Sequence, residues 1–277
     1  MHLRISLCGH QGNHLTWYEK PFLLIKIYLA MNKTQKQILT GLMLGDGCLE
    51  KHKHGKNACL RVVRKSTDKP YLMLHAKIFS SFNVKYGDKE IFDKRTNKTY
   101  YQCFLRTSVH PELTQWWTIW YSDFRKIVPS NLELTPLVLA TWFADDGSIK
   151  IEKRIYDVKL ATHGFTRSEV YSLQEKLKTI FNLNFKVYED KSAKNPHWTL
   201  RLTSKGEVRK FVQIIKPVFP KAMKRKSDIW NKNRKLLEIK VYPNCKFCQS
   251  NNVMKNGSNK NKKQKYFCKE CKRQFIT

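Results

Sequence analysis

The sequence predicts an α+β fold of two pseudo-symmetric αββαββα repeats, followed by a small cysteine-rich module. Three observations predict it. Two apolar segments, Leu39–Gly47 and Thr135–Gly147, each end in Asp-Gly, and their aspartates Asp46 and Asp146 stand 100 positions apart. Behind each segment the same order of strand and helix patterns returns. Near the C-terminus, Cys245-Lys-Phe-Cys248 and Cys268-Lys-Glu-Cys271 form two C-x2-C pairs separated by 19 residues. The expected boundaries are 1–33 for an N-terminal extension, 34–125 and 126–228 for the repeats, and 229–277 for a linker and the cysteine module.

Composition narrows the partners. With 277 residues, 41% hydrophobic and 12% aromatic, the chain can bury real cores. A formal net charge of +31 calls for a polyanionic partner. No apolar run reaches the roughly 18–20 residues that span a bilayer. Basic residues interleave with strand patterns and no basic amphipathic helix dominates, so nucleic acid is favoured over an anionic membrane. The eight cysteines are scattered early and clustered late, unlike a secreted disulfide scaffold, and a reducing compartment is expected.

Residues 1–33 contain Pro21–Ala30, apolar but short and interrupted by Lys26. A signal h-region and a transit segment are alternatives, while an upstream extension with Met31 opening the core is the favoured reading. In the first repeat the Leu39–Gly47 helix is followed by a strand at Ala58–Ser66 and an amphipathic helix at Asp68–Phe82. Leu72, Leu74, Ile78, Phe79 and Phe82 form its apolar stripe. Strands at Val84–Phe92 and Thr99–Ser108 flank a polar turn, and Pro111–Trp120 is a helix whose three tryptophans are assigned to the core. Lys126–Leu132 links the repeats.

Thr135 and Pro136 are good N-cap and first-position residues for the second apolar helix, which is hydrophobic on nearly every side. Strands follow at Ser148–Ile155 and Asp157–Gly164. Thr166-Arg-Ser-Glu169 is a capping box opening a helix to Phe181. A second strand pair, Phe185–Glu189 and His197–Thr203, precedes a helix at Lys205–Phe219 stopped by Pro217 and Pro220.

Both apolar helices carry small residues four apart, Gly41 with Gly45 and Ala140 with Ala144. That spacing lets two backbones approach closely and would bring Asp46 and Asp146 together. Carboxylates at a helix C-terminus oppose its dipole by a few tenths to about 1 kcal/mol. Something positive must compensate, and a metal ion is the expected partner.

The segments Gly41-Leu-Met-Leu-Gly-Asp46 and Trp142-Phe-Ala-Asp-Asp-Gly147 resemble the two signature helices of the LAGLIDADG homing endonucleases, in the single-chain, two-repeat, intron-encoded form. The resemblance covers roughly residues 35–226. It implies a Mg²⁺-dependent endonuclease that makes a double-strand break with short 3′ overhangs. Asp46 and Asp146 would be its ligands, joined by the backbone carbonyls of Gly45 and Asp145, with the Asp145 carboxylate ranked lower. The resemblance also places a catalytic basic residue at Lys126, before Ile-Val-Pro-Ser-Asn-Leu132. Its second-repeat counterpart falls at Lys224, Arg225 or Lys226. Arg225 aligns but cannot act as a base, so Lys224 is assigned the role.

Strands that face a duplex groove should alternate core residues with basic readers. Arg61, Arg64, Arg95, Arg106, Lys150, Lys153, Arg154, Lys159, Lys186 and Arg201 fit that pattern. Residues 216–277 hold 18 Lys or Arg against 3 Asp or Glu. Within them, Cys245, Cys248, Cys268 and Cys271 have the spacing of a closed structural Zn²⁺ site in a zinc ribbon, with two disulfides as the alternative. The resulting expectation is a monomeric, site-specific double-strand DNA endonuclease that spreads its host intron. The alternative is an RNA maturase acting on that intron's RNA. An organelle, chloroplast or mitochondrion, is the expected location, with a bacterial or phage-infected cytoplasm as the alternative.

Overall fold

The computed structural model describes residues 31–152, 155–190, 197–233, 237 and 242–276. Expectations about residues 1–30, Lys153 and Arg154 lie outside the described residues. The chain divides into two compact units, the first ending at Lys232 and the second starting at Asn233. No helix among the described residues is long and apolar enough to cross a membrane.

The first unit opens with α1 (Lys33–Leu44). Its start is a reciprocal capping box between Asn32 and Gln35. Then come β1 (Cys48–Glu50), β2 (Cys59–Lys65), α2 (Lys69–Ile78), β3 (Lys85–Asp93), β4 (Lys98–Arg106) and α3 (Pro111–Trp120). A tight hairpin of β5 (Tyr121–Ser122) and β6 (Arg125–Lys126) leads to α4 (Pro136–Asp146). The order then repeats: β7 (Gly147–Glu152), β8 (Ile155–Ala161), α5 (Arg167–Phe181), β9 (Lys186–Asp190), β10 (His197–Leu202) and α6 (Lys205–Ile215). A further helix, α7 (Lys224–Lys232), closes the unit.

Two antiparallel four-stranded sheets result, ordered β1-β2-β4-β3 and β7-β8-β10-β9. Period-two alternation decides which face is dry. Leu60, Val62, Cys103 and Leu105 of the first sheet are buried, as are Ile149, Ile151, Val158, Leu160, Leu200 and Leu202 of the second. The residues between them carry the basic side chains.

Between the sheets, α1 and α4 pack backbone against backbone. A Cβ placed on Gly41 would lie 2.5 Å from the Thr141 Cβ, and one on Gly45 would lie 2.5 Å from the Asp145 Cβ. The small pair expected on α4 is therefore not the contact. Ala144 packs away from α1, with Tyr71 and Met223. Equivalent positions of the repeats meet, 41 against 141 and 45 against 145, and a side chain on either glycine would block the approach.

Four other expectations need correction. Trp120 is buried, but Trp116 and Trp117 are half-exposed. Trp117 instead stacks on Tyr121, centroids 5.6 Å apart, with Lys51 over its ring. Leu74 is exposed, because α2 presents Tyr71, Leu72, His75 and Ala76 inward. α6 stops at Ile215, and a 3-10 turn carries the chain to Val218, since a residue before proline disfavours continued helix. Finally, α7 was not foreseen; its Trp230 is buried 4.8 Å from the Phe219 ring and 6.1 Å from that of Phe143.

The second unit holds a three-stranded sheet of β11 (Val253–Ser258), β12 (Gln264–Cys268) and β13 (Gln274–Ile276). Gly257 turns with φ of +70°. Its small core is Cys245, Val253, Cys268 and Phe275, with Tyr242, Tyr266 and Cys271 against it.

Candidate active site and nucleic-acid interface

α1 and α4 end side by side, so Asp46 and Asp146 meet. The Asp146 carboxyl lies close enough to that of Asp46 for the two to disfavour each other's charge. Burial, then the charges of Asp46 and Asp145, push Asp146 up to about 7, with Lys126 pulling the other way.

Two lysines cap the helix ends. Lys126 Nζ donates to the carbonyls of Gly45 at 3.1 Å and Gly47 at 2.7 Å. Lys226 Nζ donates to those of Phe143 at 2.8 Å, Ala144 at 2.7 Å and Asp145 at 3.0 Å. Each lysine satisfies carbonyls that a helix C-terminus leaves without partners and offsets its negative end. Burial lowers the pKa of both ammonium groups, that of Lys226 to about 8. The positive charge demanded by the two aspartates is thus partly built into the chain.

This geometry corrects the choice of Lys224. Lys224 is exposed at the start of α7, whereas Lys226, two residues on, is turned inward and buried. Arg225 points elsewhere, in a bidentate pair with Asp68. One repeat earlier, Arg125 pairs with Glu169 across the same boundary, at 2.9 and 3.4 Å. Two Arg-Lys dipeptides, 125–126 and 225–226, therefore do matching work: the arginine ties to the other repeat and the lysine caps a signature helix.

Arg64 also departs from expectation. Its side chain is buried rather than in a groove. Nη2 meets Asp145 Oδ1 at 2.6 Å and Nη1 meets Asp46 Oδ2 at 3.4 Å, with the guanidinium over the Tyr71 ring. Asp145 Oδ2 accepts the Asp46 backbone N–H at 3.3 Å. The Asp145 carboxylate is consequently committed to Arg64 and closed to solvent. Burial raises it to about 6, and Arg64 keeps it from rising further.

The remaining donors suit a hard divalent cation. Asp46 and Asp146 supply oxygen only, and their mutual repulsion is what a cation between them would relieve. Gly45 and Asp145 carbonyls each hold a lysine, and a carbonyl has a second lone pair. When bound, such an ion supplies an activated water and charge neutralisation at phosphorus.

The basic residues fall into two matching rows. Cys48, Arg61, Arg106 and Lys85 are cross-strand neighbours in one sheet. Ser148, Lys159, Arg201 and Lys186 are their equivalents in the other. Like charges directly opposite destabilise a sheet, and a polyanion lying along these rows would relieve that repulsion. Glu50 moderates the first, bonding Arg61 at 2.7 Å with Arg106 at 3.4 Å. Lys150 lies one row away, beside Glu152, and Arg95 is at the exposed hairpin tip.

Among the described residues, Cys245, Cys248, Cys268 and Cys271 bring their sulfurs within 4.8 Å of one another. The cysteines are free, with Cys245 and Cys271 sulfurs at 3.5 Å and those of Cys248 and Cys268 at 3.6 Å, so the two-disulfide alternative is set aside. This cluster could hold a metal ion.

A family model described as the LAGLIDADG DNA endonuclease family matches residues 36–211. The chain belongs to that family. The LAGLIDADG match includes both helix tips and both basic rows. DNA endonuclease I-ChuI of Chlamydomonas applanata is 26% identical over 216 residues, 74% of this chain and 99% of that protein. Cytochrome b mRNA maturase bI2 of Debaryomyces hansenii is 26% identical over 225 residues, 79% of this chain and 82% of that one. The solved structure of the homing endonuclease I-WcaI bound to its DNA recognition sequence superposes with a TM-score of 0.66 and 23% identity, covering 77% of this chain and 94% of that one. It has the same fold.

Sequence reasoning missed Arg64 as a buried partner of the acidic tips and the Asp68–Arg225 pair. Both depend on contacts between residues 81 and 157 positions apart. Only the choice of Lys226 had a local signal: it lies 100 positions after Lys126, the offset that separates Asp46 from Asp146.

Proposed function

We propose that this LAGLIDADG chain is a site-specific homing endonuclease that hydrolyses both strands of a long DNA site with Mg²⁺ and so promotes the mobility of a host intron. One observation carries the proposal: Asp46 and Asp146 meet at the junction of two equivalent repeats, each flanked by a lysine on its own helix end. A single acidic pair at that junction faces both strands of a duplex laid across the two basic rows. Asp46 and Asp146 hold the ion, and Lys126 and Lys226, held on the two helix ends, add positive charge beside it. The chain acts as a monomer, since both repeats come from one polypeptide. The cysteine module takes Zn²⁺ as a structural ion and, with Lys260, Lys262 and Lys263 on its loop and Lys265 at the start of β12, binds DNA beyond the core site. An organelle fits a chain of this kind.

Similarity to a maturase favours a second reading, in which the same scaffold binds its intron's RNA. The test is cleavage of a randomised duplex library in Mg²⁺ by the full chain and by Asp46→Asn and Asp146→Asn. Products sharing one long site, lost with either substitution, support the endonuclease. Absent cutting together with specific binding of a structured intron RNA would move the assignment to the maturase.

A further inference from the structure

The basic rows contain two arginines in equivalent places whose ties to the protein also match. Arg106 lies on β4 opposite Arg61, and Arg201 lies on β10 opposite Lys159. In each sheet the residue two before that partner holds the arginine's Nε. Cys59 Sγ accepts from Arg106 Nε at 3.4 Å, and Asp157 Oδ1 accepts from Arg201 Nε at 3.0 Å. Nη2 is held on the same side, by Glu50 at 3.4 Å in the first case and Asp157 at 2.7 Å in the second. A planar guanidinium tied along its Nε–Nη2 edge is left with one other fork, Nη1 with the second Nη2 proton. The side chains are 48% and 37% exposed, so that fork is open to solvent.

We propose that Arg106 and Arg201 are the paired guanine readers of this endonuclease, one in each half of the target. The inference rests on the reading that the sheets bind duplex DNA. Three arguments select guanine over phosphate. The open fork presents two parallel N–H donors, which matches the O6 and N7 acceptors that only guanine offers together in the major groove. Both arginines sit on the second-from-edge strand of a four-stranded sheet, and a sheet lying in the groove brings its inner strands to base edges and its rim to the backbone. Pinning one edge removes rotamer freedom, which sharpens a directional contact and adds little to a phosphate contact. Because the rows are equivalent, the guanines should be equidistant from the centre of the site and on opposite strands. Asp157 and the pair Cys59 with Glu50 act as positioning residues.

Selection of a partly randomised duplex by binding, with the full chain, tests this directly. Arg106→Lys and Arg201→Lys keep the charge and lose the fork. Each should lower discrimination for guanine at one base pair by about tenfold or more, the two positions falling in opposite half-sites. Asp157→Asn should soften the Arg201 preference alone. Thermal melting of each variant separates misfolding from lost readout. A uniform weakening across all four bases means phosphate contact and overturns the inference while the endonuclease reading stands. A selective site that is bound but never cut removes the endonuclease reading and leaves the inference intact. Binding without sequence preference in the wild type overturns both.

Discussion

Arg225 of the second repeat grips Asp68 of the first, Nε to Oδ1 at 2.9 Å and Nη2 to Oδ2 at 2.8 Å. Asp68 precedes α2 but does not cap it, because its carboxylate is spent on Arg225. The pair hydrogen-bonds a nearly buried carboxylate and adjoins Lys226, so it both joins the repeats and steadies the lysine.

Replacing Arg225 with Ala should therefore cost about 1 kcal/mol, allowing for water around the half-exposed guanidinium. The hydrogen bond from Arg225 holds Asp68 below its ordinary range. Stability from such a carboxylate is present above its unfolded pKa near ~3.9 and is lost as pH falls through the lower folded value. The melting difference between wild type and Arg225→Ala should accordingly persist at neutral pH and close below about pH 4. A constant difference across that range would remove the ion pair from the account.

Lys226→Met and Lys224→Met should separate sharply. Loss of the Lys226 ammonium takes a donor from three carbonyls at the α4 end, of which only that of Phe143 keeps the Gly147 N–H, costing about 1–3 kcal/mol, and slows cutting of one strand. Nicked circles should accumulate from a supercoiled target. Lys224→Met should change neither quantity. Equal effects from the two would return the second basic role to Lys224.

The acidic pair gives a pH signature of its own. With Asp146 raised to about 7, the folded state binds a proton that the unfolded chain releases near ~3.9. Stability from this group is complete below the unfolded value and drains as pH rises toward 7. Asp146→Asn lacks that loss, so its melting temperature relative to wild type should climb between pH 5 and 8. Mg²⁺ added at pH 8 should stabilise the wild type and leave the variant unchanged.

Arg64→Met tests whether that residue belongs to the interior. It strands the Asp145 carboxylate in a dry site, and breaking such a pair costs about 3–5 kcal/mol. Arg64→Met with Asp145→Leu should recover much of it. A groove-reading Arg64 would instead change DNA affinity and leave the melt alone.

In the cysteine module, one Zn²⁺ per chain is expected, with thiolates as its ligands. Cys268→Ser or a strong chelator should abolish the amide dispersion of residues 242–276 in a heteronuclear spectrum. The melt of the first unit should not move. Retained dispersion without metal would show that the module folds on its small apolar core.

How legible was all this? Period-two and period-3.6 patterning located most of the strands and helices of the two repeats to within a few residues, because each buries one face, while the three-residue β1, the β5–β6 hairpin and α7 are too short or too polar to show such a pattern. Asp46 and Asp146 were legible because a helix tip bearing Asp-Gly, repeated 100 positions on, is visible along the chain. Arg64 was not. The alternation that turns Arg61 outward puts Arg64 on the buried face with Leu60 and Val62, but nothing along the strand shows Asp145, 81 positions away, which takes its charge and lets an arginine stay there. Trp116 and Trp117 misled for the converse reason: bulk and apolarity suggested core, while the helix turned them to the rim. Lys226 was passed over although its 100-position offset from Lys126 was visible; its burial on α7 was not.

The contact between α1 and α4 has one more consequence. Gly41 meets Thr141 and Gly45 meets Asp145, a bump in a hollow at each step. Suppose the two repeats were made as separate polypeptides. A pair of first halves would set glycine against glycine and leave a gap. A pair of second halves would press Thr141 on Thr141 and two buried carboxylates on each other. Only the mixed pair fits, so the joint is a lock and key between unlike halves, and a split version of this molecule would sort itself into heterodimers.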